Sequence, residues 1–294
     1  VIIVFGSINL DLIFALPRIP LAGETVLGAS TLIEPGGKGA NQAVAAARDG
    51  AVVLMAGAVG GDALGAAALR LLRQAGVNLD RVARVDASTG CAAIAVDPRG
   101  ANAISVGAGA NLSAVASQVE AAILGPQATI VLQMEVAPEQ TEALIERARA
   151  AGARLILNLA PAAPLAEPSL RMVDVLVVNE TEGLWLAEHL ACSPTAVALH
   201  ERLGGVAVVL TRGGDGADVA TAEGAWHEPA HRVVAIDTTA AGDCFVGVLA
   251  HRLGEGVALR DAVAWASAAA ALCCTRRGSQ GSLPTAAETA AFRA

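Results

Sequence analysis

Asp237-Thr238-Thr239-Ala240-Ala241-Gly242-Asp243-Cys244-Phe245-Val246-Gly247 joins a β-like run over 232–236 to an apolar helical pattern over 245–253. Small residues fill the turn, so the N–H groups of Ala240, Ala241, Gly242 and Asp243 can point out from a helix N-terminus. Such a terminus carries partial positive charge and unsatisfied donors, which suits an anion. Asp243 lies in the first turn, where a carboxylate stays ionised and can take a proton from an alcohol. An anion cradle beside a base is what moving a phosphoryl group onto a hydroxyl requires. The same stretch also fits a plain helix start with Asp243 as an N-terminal charge.

The strand–turn–helix unit recurs outward from this stretch. An apolar run at 1–5 reads as a strand buried on both faces. Further strands are predicted at 51–56, 129–134, 154–159, 173–178 and 206–210. Helices are predicted at 40–49, 62–75, 113–124, 138–151, 180–190, 194–203 and 262–274. This alternation calls for an α/β domain over 1–294, with a doubly wound, mainly parallel central sheet flanked by helices. Two stretches break the rhythm. Residues 12–34 are β-like and punctuated by Pro17, Pro20, Gly23 and Gly28, and 90–106 holds two short runs around Asp97-Pro98-Arg99-Gly100, a hairpin turn by composition. Together, 10–35 and 90–106 predict a small sheet standing off the main one, as a lid, as a dimerising sheet, or as both.

Polar residues gather where the strands end. Asn9 and Asp11, spaced i, i+2, project to one side of an extended segment. Gly36-Gly37-Lys38-Gly39-Ala40-Asn41-Gln42 opens a helix, with glycines allowing close backbone approach and with Lys38 and Asn41 at its start. It is neither a Walker A loop nor a dinucleotide fingerprint. Glu135, Asn158, Asn179 and Thr211 each follow an apolar strand, where open α/β sheets bind ligands. Thr211-Arg212-Gly213-Gly214-Asp215-Gly216 is a glycine-rich turn apt for phosphates or a base, and Asn179 with Glu182 also makes a helix capping box.

Composition narrows the function. A formal net charge of −8, 2% aromatics and no tyrosine argue against a nucleic-acid surface. Five cysteines without a CxxC pair favour free thiols in a reducing cytoplasm. No signal segment opens the chain, no membrane-like apolar run of about 18 residues occurs, and the start at Val1 inside a strand suggests that a few residues precede it.

GSINLD (6–11), AGETVLG (22–28), GGKGANQA (36–43), GAGAN (107–111), NETE (179–182), TRGGDG (211–216), DTTAAGDCFVG (237–247) and TRRGSQGSLP (275–284) occur in order along the chain. In these motifs the chain resembles the PfkB family of carbohydrate kinases. Asn9, Asp11 and GGKGANQA bring it closer to ribose-phosphorylating members than to fructokinases or nucleoside kinases. The resemblance implies a ribokinase-like α/β/α fold whose β lid often forms a homodimer interface. It implies transfer of the ATP γ-phosphate to the 5-hydroxyl of D-ribose, with Mg²⁺ and an activating K⁺. Asn9, Asp11, Gly37, Lys38, Asn41 and Glu135 would hold the sugar, Asp243 would be the general base, and the amides of Ala240 to Asp243 the anion hole. Asn179, Thr211 to Gly216, Gly242 and Ser267 would line the nucleotide site, and Glu182 would organise Mg²⁺ through water. The monovalent cation would lie among Asp237, Thr239, Cys273, Arg276, Gly278 and Ser282, several of them through backbone carbonyls. Leu159 stands where the family often has proline, and Cys273 and Cys274 replace smaller or aliphatic residues beside the cation loop. A kinase for another small sugar, such as 2-deoxyribose, and a catalytically silent sugar-binding protein are the alternative readings.

Overall fold

The computed structural model describes residues 1–99 and 101–294; Gly100, the last residue of the expected hairpin turn, lies outside them. The main sheet contains β1 (Ile2–Phe5), and the next two strands, β2 (Asn9–Ala15) and β3 (Ser30–Gly36), leave it. The chain returns through helix α1 (Lys38–Arg48) to β4 (Val53–Gly60), α2 (Ala63–Ala68), α3 (Arg70–Gln74) and β5 (Asn78–Val85). It leaves again for β6 (Gly90–Val96) and β7 (Asn102–Gly107). Then β8 (Thr129–Leu132), α4 (Pro138–Ala150), β9 (Arg154–Asn158), α5 (Glu167–Leu170), β10 (Val175–Asn179), α6 (Glu180–Leu190), α7 (Ala196–Arg202) and β11 (Ala207–Thr211) continue the alternation. The chain closes with β12 (Ala217–Thr221), β13 (Gly224–Glu228), α8 (Ala241–Gly254), α9 (Leu259–Cys274) and α10 (Ala286–Arg293).

The main sheet runs β13-β12-β11-β10-β9-β8-β1-β4-β5. It is parallel from β11 to β5, and β12 and β13 add an antiparallel edge. Alternation along β1 explains the two layers. Ile2 and Val4 face a core shared with α1, α8 and α9, whereas Ile3 and Phe5 face a core shared with α4, α6 and α7. Asp49, at the end of α1, ties the first layer together. It accepts hydrogen bonds from His251 Nδ1 (2.8 Å), Arg252 (2.7 Å) and Trp265 Nε1 (3.1 Å).

The small sheet runs β3-β2-β6-β7, with β2 and β6 parallel and its other pairs antiparallel. Every residue of β7 is exposed, and Ile104 and Val106 lie bare on this edge. The Asp97 carboxylate accepts from the N–H groups of Arg99 and Ala101, which fixes the β6–β7 turn.

Several expected elements differ. The run 232–236 is not a strand: Val234 is 85% exposed and finds no sheet neighbour, and the chain instead crosses to the end of α9, where the N–H groups of Ile236 and Asp237 donate to Cys274 O. The helix expected at 113–124 is three short 3₁₀ turns, Gly109–Ser113, Ala116–Gln118 and Ala121–Ile123. Side chains from other elements compete for its backbone. Arg147 donates to the carbonyls of Ala116 and Val119 at 2.5 and 2.8 Å, and Gln140 Oε1 accepts from Ala116 N at 3.0 Å. The helix expected at 62–75 is split at Leu69 into α2 and α3.

Candidate active site

The parallel strands end on one side, and the chemistry gathers there. After β1, Gly6 and Ser7 lead directly into β2, so Asn9 and Asp11 start the small sheet at its junction with the large one. Gly37, at φ +89°, lets α1 begin against this junction; a Cβ there would stand 2.8 Å from Asn9 N. Ala40 N donates to Ser7 O, which fixes the start of α1 beside the strand ends.

Asp243 is buried in the first turn of α8, and its two oxygens are held from behind by α1. Asn41 Nδ2 donates to Oδ2 and Gln42 Nε2 to Oδ1, each at 2.9 Å. Gln42 is itself fixed, its Nε2 shared with Asn158 Oδ1 (3.1 Å) and its Oε1 accepting from Gln133 Nε2 (2.6 Å). Burial pushes the Asp243 carboxyl above the usual range, against the opposing influence of Lys38, Asn41 and Gln42. Asn41 Oδ1 is buried without a partner, an acceptor available to a ligand hydroxyl.

Asn9 and Asp11 face the same space. Asn9 Oδ1 accepts from Asn111 Nδ2 at 2.7 Å, and Asn111 Oδ1 accepts from Ile8 N at 2.8 Å, so Asn111 sets the orientation of Asn9. Asp11 is raised from 3.8 to about 7, first by burial and then by the charges of Glu135, Glu34 and Asp243. Glu135 Oε2 accepts from Ser7 Oγ (2.5 Å) and Lys38 N (3.1 Å). Burial alone would lower Lys38, but Asp243, Glu135 and Glu182 outweigh it and hold the ammonium charged. Ser7 and Asn111 belong to the site although sequence reasoning gave them no role. Their motifs, GSINLD and GAGAN, were visible, but nothing in them shows which polar residue supports another.

Ala240 caps α8 in the left-handed region at φ +59°, which turns the following amides outward. Ala241 N is already engaged with Thr238 O at 3.2 Å, so the cradle rests chiefly on its neighbours. Gly242 is exposed, and a Cβ there would meet nothing within 4 Å. That open space over a helix N-terminus fits an incoming phosphate.

The other expected residues divide. Asn179 caps α6, and its backbone N–H occupies one oxygen of Glu182, leaving the second without a hydrogen bond among the described residues. Burial raises the Glu182 carboxyl. Gly213 and Gly214 are exposed with open space above them, whereas the Arg212 guanidinium is held on Asp218 at 3.0 Å. Ser267 is half-buried on α9, and no hydrogen bond links its side chain to the other site residues among the described residues.

Asp237 accepts from Thr239 N and Gly278 N, both at 2.9 Å. Burial would raise its carboxyl, yet these bonds bring it below the usual range. Cys273 Sγ lies 3.0 Å from Ser282 Oγ and 3.9 Å from Thr239 O. Thus Asp237, Thr239, Cys273, Gly278 and Ser282 meet in one place, with the oxygen-rich chemistry a hard monovalent cation needs. The Arg276 side chain turns away to Glu288 at 2.7 Å, leaving its backbone to serve the loop. All five cysteines are free thiols. Among the described residues no cluster of three or more His, Cys, Asp or Glu side chains forms a metal site, and no helix is long and apolar enough to cross a membrane.

A buried carboxylate at a helix N-terminus, facing polar groups on a small sheet, defines a phosphotransferase acting on a small polyhydroxylated acceptor. The chain belongs to the pfkB family of carbohydrate kinases, whose model it matches over residues 1–286. A ribokinase of Haemophilus influenzae is 34% identical, with 98% of this chain and 97% of that protein covered. A deoxyribokinase of Salmonella typhi is 35% identical, with 97% and 95% covered. The crystal structure of a ribokinase from Thermotoga maritima superposes with a TM-score of 0.91 at 31% identity, covering 100% of this chain and 99% of that one. A ribokinase of Arabidopsis thaliana, complexed with ribose and ATP, superposes with a TM-score of 0.88 at 27% identity, covering 99% and 97%.

Proposed function

We propose that the protein transfers the γ-phosphoryl group of ATP to the 5-hydroxyl of D-ribose, releasing ADP and ribose 5-phosphate. The observation that carries this reading is Asp243, whose carboxylate is fixed from behind by Asn41 and Gln42 and faces Asp11 across the site. Asn9, Asp11, Asn41, Lys38 and Glu135 hold the sugar so that its hydroxyl meets Asp243, which takes the proton as the O–P bond forms. The outward amides at Ala240, Gly242 and Asp243 hold the transferring phosphoryl group where its charge is greatest. Lys38 adds positive charge from the other side. The nucleotide lies over Asn179, the open turn at Gly213 and Gly214, and α9 with Ser267.

The Glu182 oxygen not taken by Asn179 N would hold the water shell of a Mg²⁺ bound with ATP, which would neutralise phosphate charge. Asp237, Thr239 and Ser282 would hold K⁺, whose charge would strengthen the field of the anion hole. The small sheet acts as a lid that excludes water when sugar is bound. Its bare β7 edge, with Ile104 and Val106, suits pairing with a second copy in a homodimer. Free thiols accord with a cytoplasmic enzyme.

The test is ADP release with ATP, Mg²⁺ and K⁺, comparing D-ribose with 2-deoxyribose, fructose and adenosine. Turnover strongest on ribose and reduced when choline replaces K⁺ is the expected result. The deoxyribokinase at 35% identity supports a second reading, and stronger turnover on 2-deoxyribose would select it. Ribose binding without turnover on any acceptor would leave a sugar-binding protein.

A further inference from the structure

Glu34 has no role in the chemistry above, yet it stands between two parts of the site. It pairs in register with Asp11 across β2 and β3, so both side chains share one face of the small sheet. Its Oε2 accepts from Ser279 N at 3.1 Å, and Ser279 Oγ donates to the adjacent Pro35 O at 2.7 Å. Gly278 lies so close that a Cβ would stand 2.8 Å from each Glu34 oxygen, and its φ of +92° also favours glycine. Gly278 N in turn donates to Asp237, whose other oxygen holds Thr239 N at the base of the anion-hole loop. Contacts therefore run without a gap from Asp11 through Glu34, the 278–279 peptides and Asp237 to the turn before α8.

We propose that Glu34 is a positioning residue through which sugar bound at Asp11 orders the 276–282 loop and, behind it, the anion hole. This rests on the reading of Asp11 as a sugar ligand. The physical cause is repulsion between neighbouring carboxylates. A sugar hydroxyl donating to Asp11 favours its ionised form. The charge then facing Glu34 is tolerated best when Glu34 is firmly held by the Ser279 amide. Sugar binding therefore tightens the Glu34–Ser279 contact, and a tightened loop favours sugar binding in return, because such coupling is reciprocal. A cation lodged beside Asp237 acts in the same direction by adding positive charge to this loop.

The experiment is amide hydrogen exchange over residues 276–282, with and without saturating D-ribose and without nucleotide, on the unmodified protein, E34Q and E34A. Calorimetric titration of ribose in K⁺ and in choline buffer accompanies it. In the unmodified protein, ribose is expected to slow exchange in the loop at least fivefold, and K⁺ to tighten ribose binding at least fivefold. E34Q keeps an acceptor for Ser279 N but carries no charge for Asp11 to repel. It is expected to hold the loop in the absence of sugar and to lose most of the ribose-dependent protection; protection equal to the unmodified protein in E34Q overturns the electrostatic cause. E34A is expected to bind ribose with no loop protection and less than twofold dependence on K⁺. Equal protection in E34A overturns the proposal. So does unchanged loop exchange in unmodified protein that binds ribose, a result independent of whether either variant folds. If the unmodified protein binds no ribose at all, the functional reading fails with it.

Discussion

Asp11→Asn is expected to separate the stability of this protein from its activity, with a sign and rough size that follow from the burial of this carboxyl and its proposed contact with sugar. Asp11 is raised from 3.8 to about 7 by burial and by the charges of Glu135, Glu34 and Asp243. Between these two values the folded protein keeps a proton that the unfolded chain has released. Stability therefore falls as pH rises through this window and stays low above it. At about 1.4 kcal/mol per pH unit, the ionised carboxylate costs about 4 kcal/mol at pH 8. At pH 5 the cost is less than half as large, because there the folded form is still protonated. The amide is nearly isosteric and fits against Gly36, where a Cβ would stand 2.1 Å from Asp11 Oδ2. Thermal unfolding of Asp11→Asn at pH 8 is thus expected about 10 °C above the unmodified protein, at about 2–4 °C per kcal/mol. At pH 5 the gain should be less than half of that. In the same variant kcat/KM for ribose should fall about 100-fold, since a charge-assisted hydrogen bond worth about 2–3 kcal/mol is lost. Equal stabilisation at both pH values, or none, would refute the electrostatic account of this site.

The remaining expectations concern other parts of the same machinery. Asp243→Asn should lower kcat at least 1,000-fold, on the order of a lost general base, while calorimetric ribose affinity changes by no more than a few-fold. Gly242→Ala meets no protein atom, so its unfolding midpoint should hold or rise slightly; kcat should fall at least tenfold, as a methyl group intrudes on the phosphate, in a steady-state assay. Asn111→Ala releases Asn9 and should raise KM for ribose about fivefold with little change in kcat, the signature of about 1 kcal/mol of sugar positioning. Asp49→Ala strands Arg252 and Trp265 in the layer between α1, α8 and α9. Denaturant titration should find it about 3–5 kcal/mol less stable, with the ribose KM unchanged.

The sequence was most legible where one local rule acts alone. Alternating apolar strands and capped helices gave the parallel sheet, and the i, i+2 spacing put Asn9 and Asp11 on one side. Capping-box spacing likewise gave the Asn179–Glu182 pair its geometry. Illegibility began where tertiary partners decide. The backbone at 113–124 has a helical composition, but Arg147 and Gln140 supply hydrogen bonds to Ala116 that a helix would otherwise make. The run 232–236 is rich in β-formers but lies where no strand is free to pair with it. β5 and the β12–β13 hairpin left too weak a pattern to be read. In the site, the residue types expected to meet a ligand were visible in their motifs, whereas their supports, Ser7, Asn111 and Gln133, are ordinary polar residues until the fold brings them within reach.

The amides behind Asp243 have a kinetic consequence. Asn41 Nδ2 and Gln42 Nε2 can only donate to the carboxylate, and a neutral amide nitrogen does not accept a proton. No relay therefore leads from Asp243 back into the protein through these partners. On the proposed base role, a proton taken from the acceptor hydroxyl leaves on the sugar side, to the product phosphate or to solvent, so recharging of the base is tied to the opening of that face. On the proposed roles of Asp243 as base and of the small sheet as a lid, turnover is expected to depend on how quickly that sheet lifts after transfer, and buffer species small enough to enter the opened cleft should speed the cycle without touching the chemical step.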